Sequence, residues 1–163
     1  MKLYHGSASF IETGTKLNVS KNLKDEIFDE VEKIFEYLKP KDKISRFEAV
    51  YACEKIDDID PCGGYTDVVY EIESSRFEMS DLAWLTEAKI AYENNDVDAV
   101  KRCANNYWNN VLFYNKKQSC IEYRARDAVV LRIVEINDCE SNQSTVQIKC
   151  DNKGLKSTTL LHK

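Results

Sequence analysis

A histidine near the N-terminus is the first residue of the chain whose type and position suit a binding site. His5 ends a short predicted strand at residues 2–5, and Gly6 and Ser7 follow it in a predicted turn. Glycine permits a positive φ or a close approach of the backbone to a ligand. The His5 ring could therefore meet a ligand, whereas a surface or capping role is the ordinary alternative for a single histidine.

The residue inventory excludes several kinds of catalytic site. The chain has two histidines, His5 and His162, and no HExxH sequence, so a zinc site with several histidine ligands is excluded. Its six cysteines lack CxxC and CxxxC spacing, and we expect free buried thiols and no bound metal. Neither a GxxxxGK nor a GxGxxG motif occurs, which argues against P-loop and Rossmann nucleotide binding.

The spacing of apolar residues predicts the elements that must position such a site. Helices are predicted at residues 24–38, which Pro40 stops, at residues 80–93, with Ser80 as N-cap, and at residues 96–108. Strands are predicted at residues 2–5, 47–53, 65–73, 121–123 and 128–136. The last strand is apolar enough to be central in a sheet, and residues 111–114 form a strand or a loop.

An α+β fold follows from this arrangement, because strands near both ends of the chain enclose the helices and must return to one sheet. Residues 1–136 contain every residue to which we assign chemistry. Residues 137–163 are predicted to be a polar extension, with an edge strand at Val146, Ile148 and Cys150 and a frayed end.

The composition predicts one soluble domain. With 163 residues, 43% of them hydrophobic and 31% charged, the chain is neither collagen-like nor disordered. Its net charge of −5 provides no overall basic field for nucleic acid. We find neither a signal peptide nor a long apolar run, and we expect a cytoplasmic protein that does not enter a membrane.

The segment Leu3-Tyr4-His5-Gly6-Ser7 resembles the first strand of the ADP-ribosyltransferase superfamily, of the diphtheria-toxin and poly-ADP-ribose-polymerase type. The resemblance implies a split mixed β-sheet with helices between the strands. It also implies that His5, Gly6 and Ser7 bind NAD, through hydrogen bonds to the adenosine ribose and the nicotinamide amide.

A tyrosine on a second strand stacks on nicotinamide in this superfamily. The segment from Phe47 to Ala52 is similar in kind and place, which makes Tyr51 the candidate. Tyr65 or Tyr70 could serve instead, and an aromatic residue on a strand is commonly part of the core.

The catalytic glutamate of the superfamily lies at the start of a late strand, where it contacts the nicotinamide ribose and stabilises the oxocarbenium-like state. The segment Ile121–Arg124 resembles that strand, so the resemblance makes Glu122 the catalytic candidate. A solvated glutamate beside an arginine is the alternative. Arginine-modifying toxins place a Glu or Gln two residues earlier, where this chain has Cys120, and the triplet Glu71-Ile72-Glu73 comes early for that role.

Arginines near these candidates suit the pyrophosphate of NAD, because a guanidinium makes bidentate contacts to phosphate. Arg46 precedes the Tyr51 strand, and Arg124 and Arg126 adjoin Glu122. Solvated surface arginines are the alternative. Tyr107 and Trp108 end the third helix and suit either substrate binding or, more commonly, packing.

The resemblance implies an NAD-dependent mono-ADP-ribosyltransferase that releases nicotinamide and modifies an unknown protein or nucleic-acid acceptor. The alternative is a non-catalytic acidic protein that binds and inhibits a partner. A relative that transfers an RNA phosphate to NAD would need a basic cleft, and the basic residues are scattered. The small size and the high Asn and Lys content are typical of a phage or mobile-element effector acting in the host cytoplasm.

Overall fold

The computed structural model describes residues 2–18 and 29–137, which form seven strands and three α-helices. In chain order the strands are β1 (Leu3–Ser7), β2 (Lys16–Asn18), β3 (Val50–Ala52), β4 (Val68–Glu73), β5 (Glu78–Asp81), β6 (Ile121–Ala125) and β7 (Asp127–Ile136). The helices are α1 (Glu30–Tyr37), α2 (Ala83–Glu93) and α3 (Val97–Trp108), with two short 3-10 helices at Arg46–Glu48 and Ile56–Asp58. The predicted α+β class is confirmed.

Four strands form an antiparallel sheet in the order β1-β4-β7-β2. The β-branched residues of β4 and β7 suit these two internal positions, where both neighbours are strands. Two shifts of register between β4 and β7 bend the sheet locally. The hydrophobic core on this sheet contains Leu3, Tyr70, Ile72, Ala128 and Val130, all almost completely buried.

A second antiparallel sheet has the order β3-β6-β5, so β6 is central. Tyr4 of β1 joins the two sheets, because it exchanges two backbone hydrogen bonds of 2.8 and 2.9 Å with Cys53, the residue after β3. In the second sheet, Tyr51 pairs with Arg124 and Ser80 pairs with Glu122. The bridge therefore brings the His5 end of β1 to the strands that carry Tyr51 and Glu122.

The helices share a second core, formed by Phe35, Leu85, Ala88, Val100, Ala104 and Trp108. The indole Nε1 of Trp108 donates to the carbonyl oxygen of Phe35 at 2.8 Å and ties α3 to α1. Asp29 caps α1 in a capping box, in which its Oδ1 accepts from the Glu32 N–H at 3.0 Å. None of the described helices combines the length and the apolar character that crossing a membrane requires.

Two of the predicted helix starts are wrong. The helix predicted at residues 24–38 begins at Glu30, because Asp29 has extended backbone angles and caps it; residues 24–28 lie outside the described residues. Ser80 is part of β5 and caps no helix, and α2 begins at Ala83, whose N–H donates to Asp81 Oδ1 at 3.1 Å. The helix predicted at residues 96–108 is confirmed, with Asp96 as its N-cap.

The predicted mixed sheet is also wrong, because every strand pairing among the described residues is antiparallel. Gly6 and Ser7 continue β1 instead of forming a turn. β3 begins only at Val50, since Ser45 Oγ caps the 3-10 helix that precedes it. The internal position of β7 and the helices between strands were predicted correctly.

The remaining strand predictions have different outcomes. Residues 111–114 form a loop, and the short strands β2 and β5 were not predicted. β4 begins at Val68 instead of Tyr65. The edge strand predicted at Val146, Ile148 and Cys150, together with the frayed end, lies outside the described residues.

Candidate functional site

A cavity of about 580 Å³ opens where the two sheets meet. Its volume falls within the range of small-molecule sites, roughly 300–1,000 Å³. Residues of β1, β2, β3, β6 and α1 contribute to the wall. The lining includes six of the residues that the sequence predicted for a site: His5, Gly6, Arg46, Tyr51, Tyr65 and Glu122.

Glu122 is a buried carboxylate, only 1% exposed, on the central strand β6. Its Oε1 accepts from Arg46 Nη1 at 2.5 Å and from the hydroxyl of Tyr107. Its Oε2 is buried without a hydrogen-bond partner among the described residues. A buried carboxylate oxygen without a partner costs free energy, so Oε2 has unused acceptor capacity in a residue that lines the cavity.

Arg46 neutralises this carboxylate from the 3-10 helix before β3. It is 5% exposed, and its Nη2 also pairs with Glu32 Oε1 of α1 at 3.0 Å. Burial lowers the pKa of Arg46, but Glu122 and the neighbouring phenols and carboxylate outweigh burial and raise it well above its ordinary value. Arg46 therefore stays charged and holds Glu122, and its terminal N–H groups point to carboxylates instead of a pyrophosphate.

Tyr107 completes the environment of Glu122 from α3. Its buried hydroxyl lies 2.5 Å from Arg46 Nη1 and 2.6 Å from Arg124 Nη1. The guanidinium of Arg124 lies over the rings of Tyr107 and Trp108, 4.7 and 4.6 Å from their centroids. The sequence indicated packing for Tyr107, and helical spacing alone carries no signal for its contact with a glutamate 15 residues later.

His5 contributes an imidazole whose tautomer is fixed by a backbone carbonyl. Its Nδ1 lies 2.8 Å from the carbonyl oxygen of Tyr51. Because a carbonyl only accepts, Nδ1 carries the proton of the neutral ring and Nε2 keeps a lone pair. Burial lowers the pKa of His5 and outweighs that hydrogen bond, so the neutral form prevails near pH 7. His5 therefore offers the cavity a hydrogen-bond acceptor.

Tyr51 is held at both ends. Its carbonyl accepts from His5, and its hydroxyl donates to the carbonyl oxygen of Arg46 at 2.7 Å. Its ring lies 5.5 Å from the guanidinium carbon of Arg46 and lines the cavity. Burial raises the pKa of Tyr51, so the hydroxyl stays protonated and keeps its bond. The aromatic ring is thus a fixed part of the cavity wall.

The segment from Ile59 to Tyr65 lies so close to the backbone of residue 6 that only glycine fits there. A Cβ atom at Gly6 would lie 1.7 Å from the carbonyl oxygen of Tyr65 and 2.7 Å from Ile59 Cγ2. The close approach that the sequence predicted is therefore to the protein's own backbone. Tyr65 itself is exposed and lines the mouth of the cavity.

Other predicted residues lie away from the lining. Ser7 bonds locally to Ser9. Arg124 is buried outside the lining, its Nη2 donates to Ser80 Oγ at 2.8 Å, and Arg126 is exposed. Tyr70 is a core residue whose hydroxyl accepts from the Ile11 N–H at 2.7 Å.

The triplet Glu71-Ile72-Glu73 also lies apart from the cavity. It belongs to β4, which is an internal strand and not the solvent-facing edge that alternating charges predicted. Glu71 is paired there with Arg132 at 2.7 Å. The described part of the chain holds no group of His, Cys, Asp and Glu side chains that could bind a metal ion.

Comparison of the chain with protein-family models, with curated proteins and with solved structures finds no match. The cavity and its side chains are therefore the basis for any statement about function.

Proposed function

We propose that this protein is an NAD-dependent mono-ADP-ribosyltransferase that modifies a protein or nucleic-acid acceptor in the cytoplasm. One observation carries the proposal: His5, Tyr51 and Glu122, which are far apart in the sequence, line the same cavity. Each has the chemical state that its proposed role needs. His5 offers an acceptor, Tyr51 an anchored ring and Glu122 a carboxylate with one oxygen unpaired.

The proposed reaction breaks the glycosidic bond between the ribose C1′ and the nicotinamide nitrogen. The electron pair of that bond goes to nicotinamide, which leaves as a neutral molecule, and positive charge develops on the ribose. Glu122 would accept a hydrogen bond from a ribose hydroxyl through Oε2 and stabilise that charge. The acceptor nucleophile then bonds to C1′ and releases its proton.

The remaining lining residues would bind the dinucleotide. His5 Nε2 accepts a hydrogen bond from a hydroxyl of the adenosine ribose, and the ring of Tyr51 stacks on nicotinamide. Gly6 and Tyr65 shape the neighbouring wall. Arg46 positions Glu122 instead of binding the pyrophosphate, because its guanidinium is buried between the carboxylates of Glu32 and Glu122.

Substitution of the proposed catalytic carboxylate tests the chemistry. Glu122→Gln keeps the shape of the side chain and removes its charge, so nicotinamide release should fall by about 10²-fold or more. The affinity for NAD should change little, because the other binding groups remain. Nicotinamide release by the purified protein, with water in place of the acceptor nucleophile at C1′, is measured by chromatography and gives the rate.

The matched control is Glu73→Gln, at the exposed end of β4 and outside the cavity. It should release nicotinamide at the parent rate. Equal rates for the parent and for Glu122→Gln would contradict the catalytic role.

A separate experiment identifies the acceptor. The parent protein is incubated with labelled NAD and a cell lysate, and the labelled band is the acceptor.

A second candidate function is binding to a partner without catalysis. The observation that favours it is the loop after α3, where Leu112 is 60% and Tyr114 75% exposed. Exposed apolar side chains of this kind suit contact with another macromolecule. A protein that only binds a partner would neither release nicotinamide nor be stabilised by NAD.

A further inference from the structure

Two cysteine thiols lie next to each other beside the cavity. Cys62 Sγ and Cys120 Sγ are 2.7 Å apart, although 58 positions separate the residues in the sequence. Cys62 belongs to the loop between the second 3-10 helix and β4, and Cys120 directly precedes β6. Both are free thiols and both are half-buried.

This pair is more exposed than the other described cysteines. Cys62 and Cys120 are half-buried and Cys62 lines the cavity, whereas Cys103 is buried and Cys53, which also lines the cavity, is only 4% exposed. The length of a disulfide bond is about 2.03–2.05 Å, so the two sulfur atoms need only a small displacement to bond. Contact between two thiols and access from the cavity together point to an oxidation site.

We propose that Cys62 and Cys120 form a reversible intramolecular disulfide when the protein meets a peroxide. The Cys62 thiolate attacks one peroxide oxygen, which gives a sulfenic acid and, after protonation of the leaving oxygen, water or an alcohol. The Cys120 sulfur then bonds to the Cys62 sulfur, loses its proton and expels the sulfenic oxygen as water. Two thiols are oxidised by two electrons, and one peroxide is reduced.

The groups around the pair decide the conditions for the reaction. The hydrogen bond to Cys62, followed by burial, raises the pKa of the Cys120 thiol, and Cys62, Asp58 and Glu122 act in the same direction through their negative charge. The hydrogen bond with Cys120 lowers the pKa of Cys62, but the hydrogen bond with Cys53 and burial outweigh it and raise that pKa. Because the thiolate reacts, mildly alkaline solution should accelerate the oxidation.

The disulfide would connect two walls of the site. It would fix the loop of Cys62 to the start of β6, two residues before Glu122. Cross-linking of positions that are distant in the sequence restricts the unfolded chain, so the oxidised protein should have a higher Tm than the reduced protein. The proposal does not depend on NAD, because it rests on the two thiols alone.

Peptide mapping of the full chain tests the proposal. The protein is treated with hydrogen peroxide, alkylated without reduction and digested with trypsin, which cleaves after Lys55, Arg76, Lys117 and Arg124. The expected product is residues 56–76 joined to residues 118–124, each of which contains a single cysteine. Dithiothreitol should separate the two peptides and reverse the rise in Tm.

Several outcomes would overturn the proposal. One is alkylation of both thiols after peroxide treatment, and another is irreversible oxidation of Cys62. A third is a disulfide between Cys62 and Cys53, which would be recognised because trypsin releases Cys53 in residues 47–55. The Cys103→Ser variant, altered in the buried cysteine of α3, should still give the joined peptides. The Cys62→Ser variant should lose both the joined peptides and the peroxide-dependent rise in Tm.

Discussion

Tyr107 is the residue whose single hydroxyl group connects the charges around Glu122. In Tyr107→Phe the ring keeps its edge contacts with Phe35 and Trp108, at centroid distances of 5.4 and 4.9 Å. Glu122 Oε1 loses a donor, and two arginines lose an acceptor. We expect a loss of about 1–3 kcal/mol in the free energy of unfolding and slower nicotinamide release, measured by urea denaturation and chromatography.

The Tyr70→Phe variant separates stability from activity. Tyr70 lies on β4 of the first sheet, and its hydroxyl accepts from the Ile11 N–H. Neither residue belongs to the cavity lining. This variant should lose stability and still release nicotinamide at the parent rate per folded molecule. If Tyr107→Phe behaved in the same way, its hydroxyl would have a structural role and would not position Glu122.

The protonation of His5 should control the affinity for NAD at low pH. Because burial lowers the pKa of His5 below 6.5, the ring stays neutral and Nε2 stays an acceptor down to about that pH. Protonation below the lowered pKa turns Nε2 into a donor and removes the bond to the ribose hydroxyl. The dissociation constant for NAD should therefore be constant between about pH 8 and pH 6.5 and rise below that range.

Calorimetric titration over this pH range checks the prediction, with His5→Phe as the comparison variant. The variant lacks the acceptor, so its weaker affinity should not show the additional loss below pH 6.5. A rise in the parent's dissociation constant already between pH 8 and pH 7 would mean that the pKa of His5 is raised and would contradict the neutral state assigned to the ring near pH 7.

The residues that could be predicted from the sequence are those with a local pattern. His5 ends a segment that was predicted as a strand, Gly6 follows it, and Glu122 lies in another such segment, so these three positions were visible without the fold. The environment of Glu122 was not visible, because Arg46 and Tyr107 reach it across 76 and 15 positions of sequence. Burial, which makes Arg46 a counter-ion, is a property of the tertiary structure.

At the scale of elements, Asp81 shows why one helix start was predicted wrongly. Ser80 has the residue type of an N-cap, but its side chain bonds to the Tyr107 carbonyl and to Arg124. The next residue, Asp81, accepts from the Ala83 N–H at the start of α2. From the sequence, either Ser80 or the adjacent aspartate could cap the helix. The pairing of Ser80 with Glu122 in the second sheet places Ser80 in a strand and leaves the capping contact to Asp81.

Asp81 also connects the loop after α3 to the start of β6. Its two oxygens accept from the N–H groups of Phe113 and Cys120, at 2.9 and 3.1 Å, and from the hydroxyl of Ser119 at 2.5 Å. In Asp81→Asn one of the two oxygens becomes a donor that faces other donors. We expect a loss of about 2–4 kcal/mol in the free energy of unfolding, measured by urea denaturation.

The Asp127→Asn variant provides the matched control for Asp81. Asp127 is partly exposed and pairs with Lys16 at the first sheet. An exposed ion pair contributes about 0–1 kcal/mol, so this variant should unfold almost like the parent protein. Equal effects of the two substitutions would show that the bonds of Asp81 add no more than an exposed ion pair does.

At the scale of the whole molecule, the class of the fold was predictable and its sheet pairing was not. Helical spacing and the apolar run of β7 are local signals; they predicted three helices, two of them with wrong starts, and the internal position of β7. The junction between the sheets depends on Tyr4 and Cys53, and β1 pairs with β4 from Leu3 with Ile72 to Ser7 with Val68, residues that are 69 and 61 positions apart. The direction and the order of strands so far apart in the sequence depend on how all the strands pack together. No short segment of sequence contains that information.

The binding of NAD should stabilise the whole folded chain, because a ligand that binds only the native state shifts the unfolding equilibrium. At a concentration of 100 times the dissociation constant, the stabilisation is about 2.7 kcal/mol. For a chain of this length that free energy raises Tm by roughly 5–10 °C. Thermal denaturation with increasing NAD measures the effect.

Two variants make the thermal experiment specific for the cavity. Glu122→Gln should retain most of the rise in Tm, since it removes charge needed for the reaction and leaves His5 and Tyr51 in place. Tyr51→Ala should lose most of it, because the stacking ring and its bond to the Arg46 carbonyl are both removed. If NAD did not raise the Tm of the parent protein, NAD binding would be refuted and a protein that only binds a partner would be favoured. The disulfide between Cys62 and Cys120 would not be affected by that result, because peptide mapping tests it without NAD.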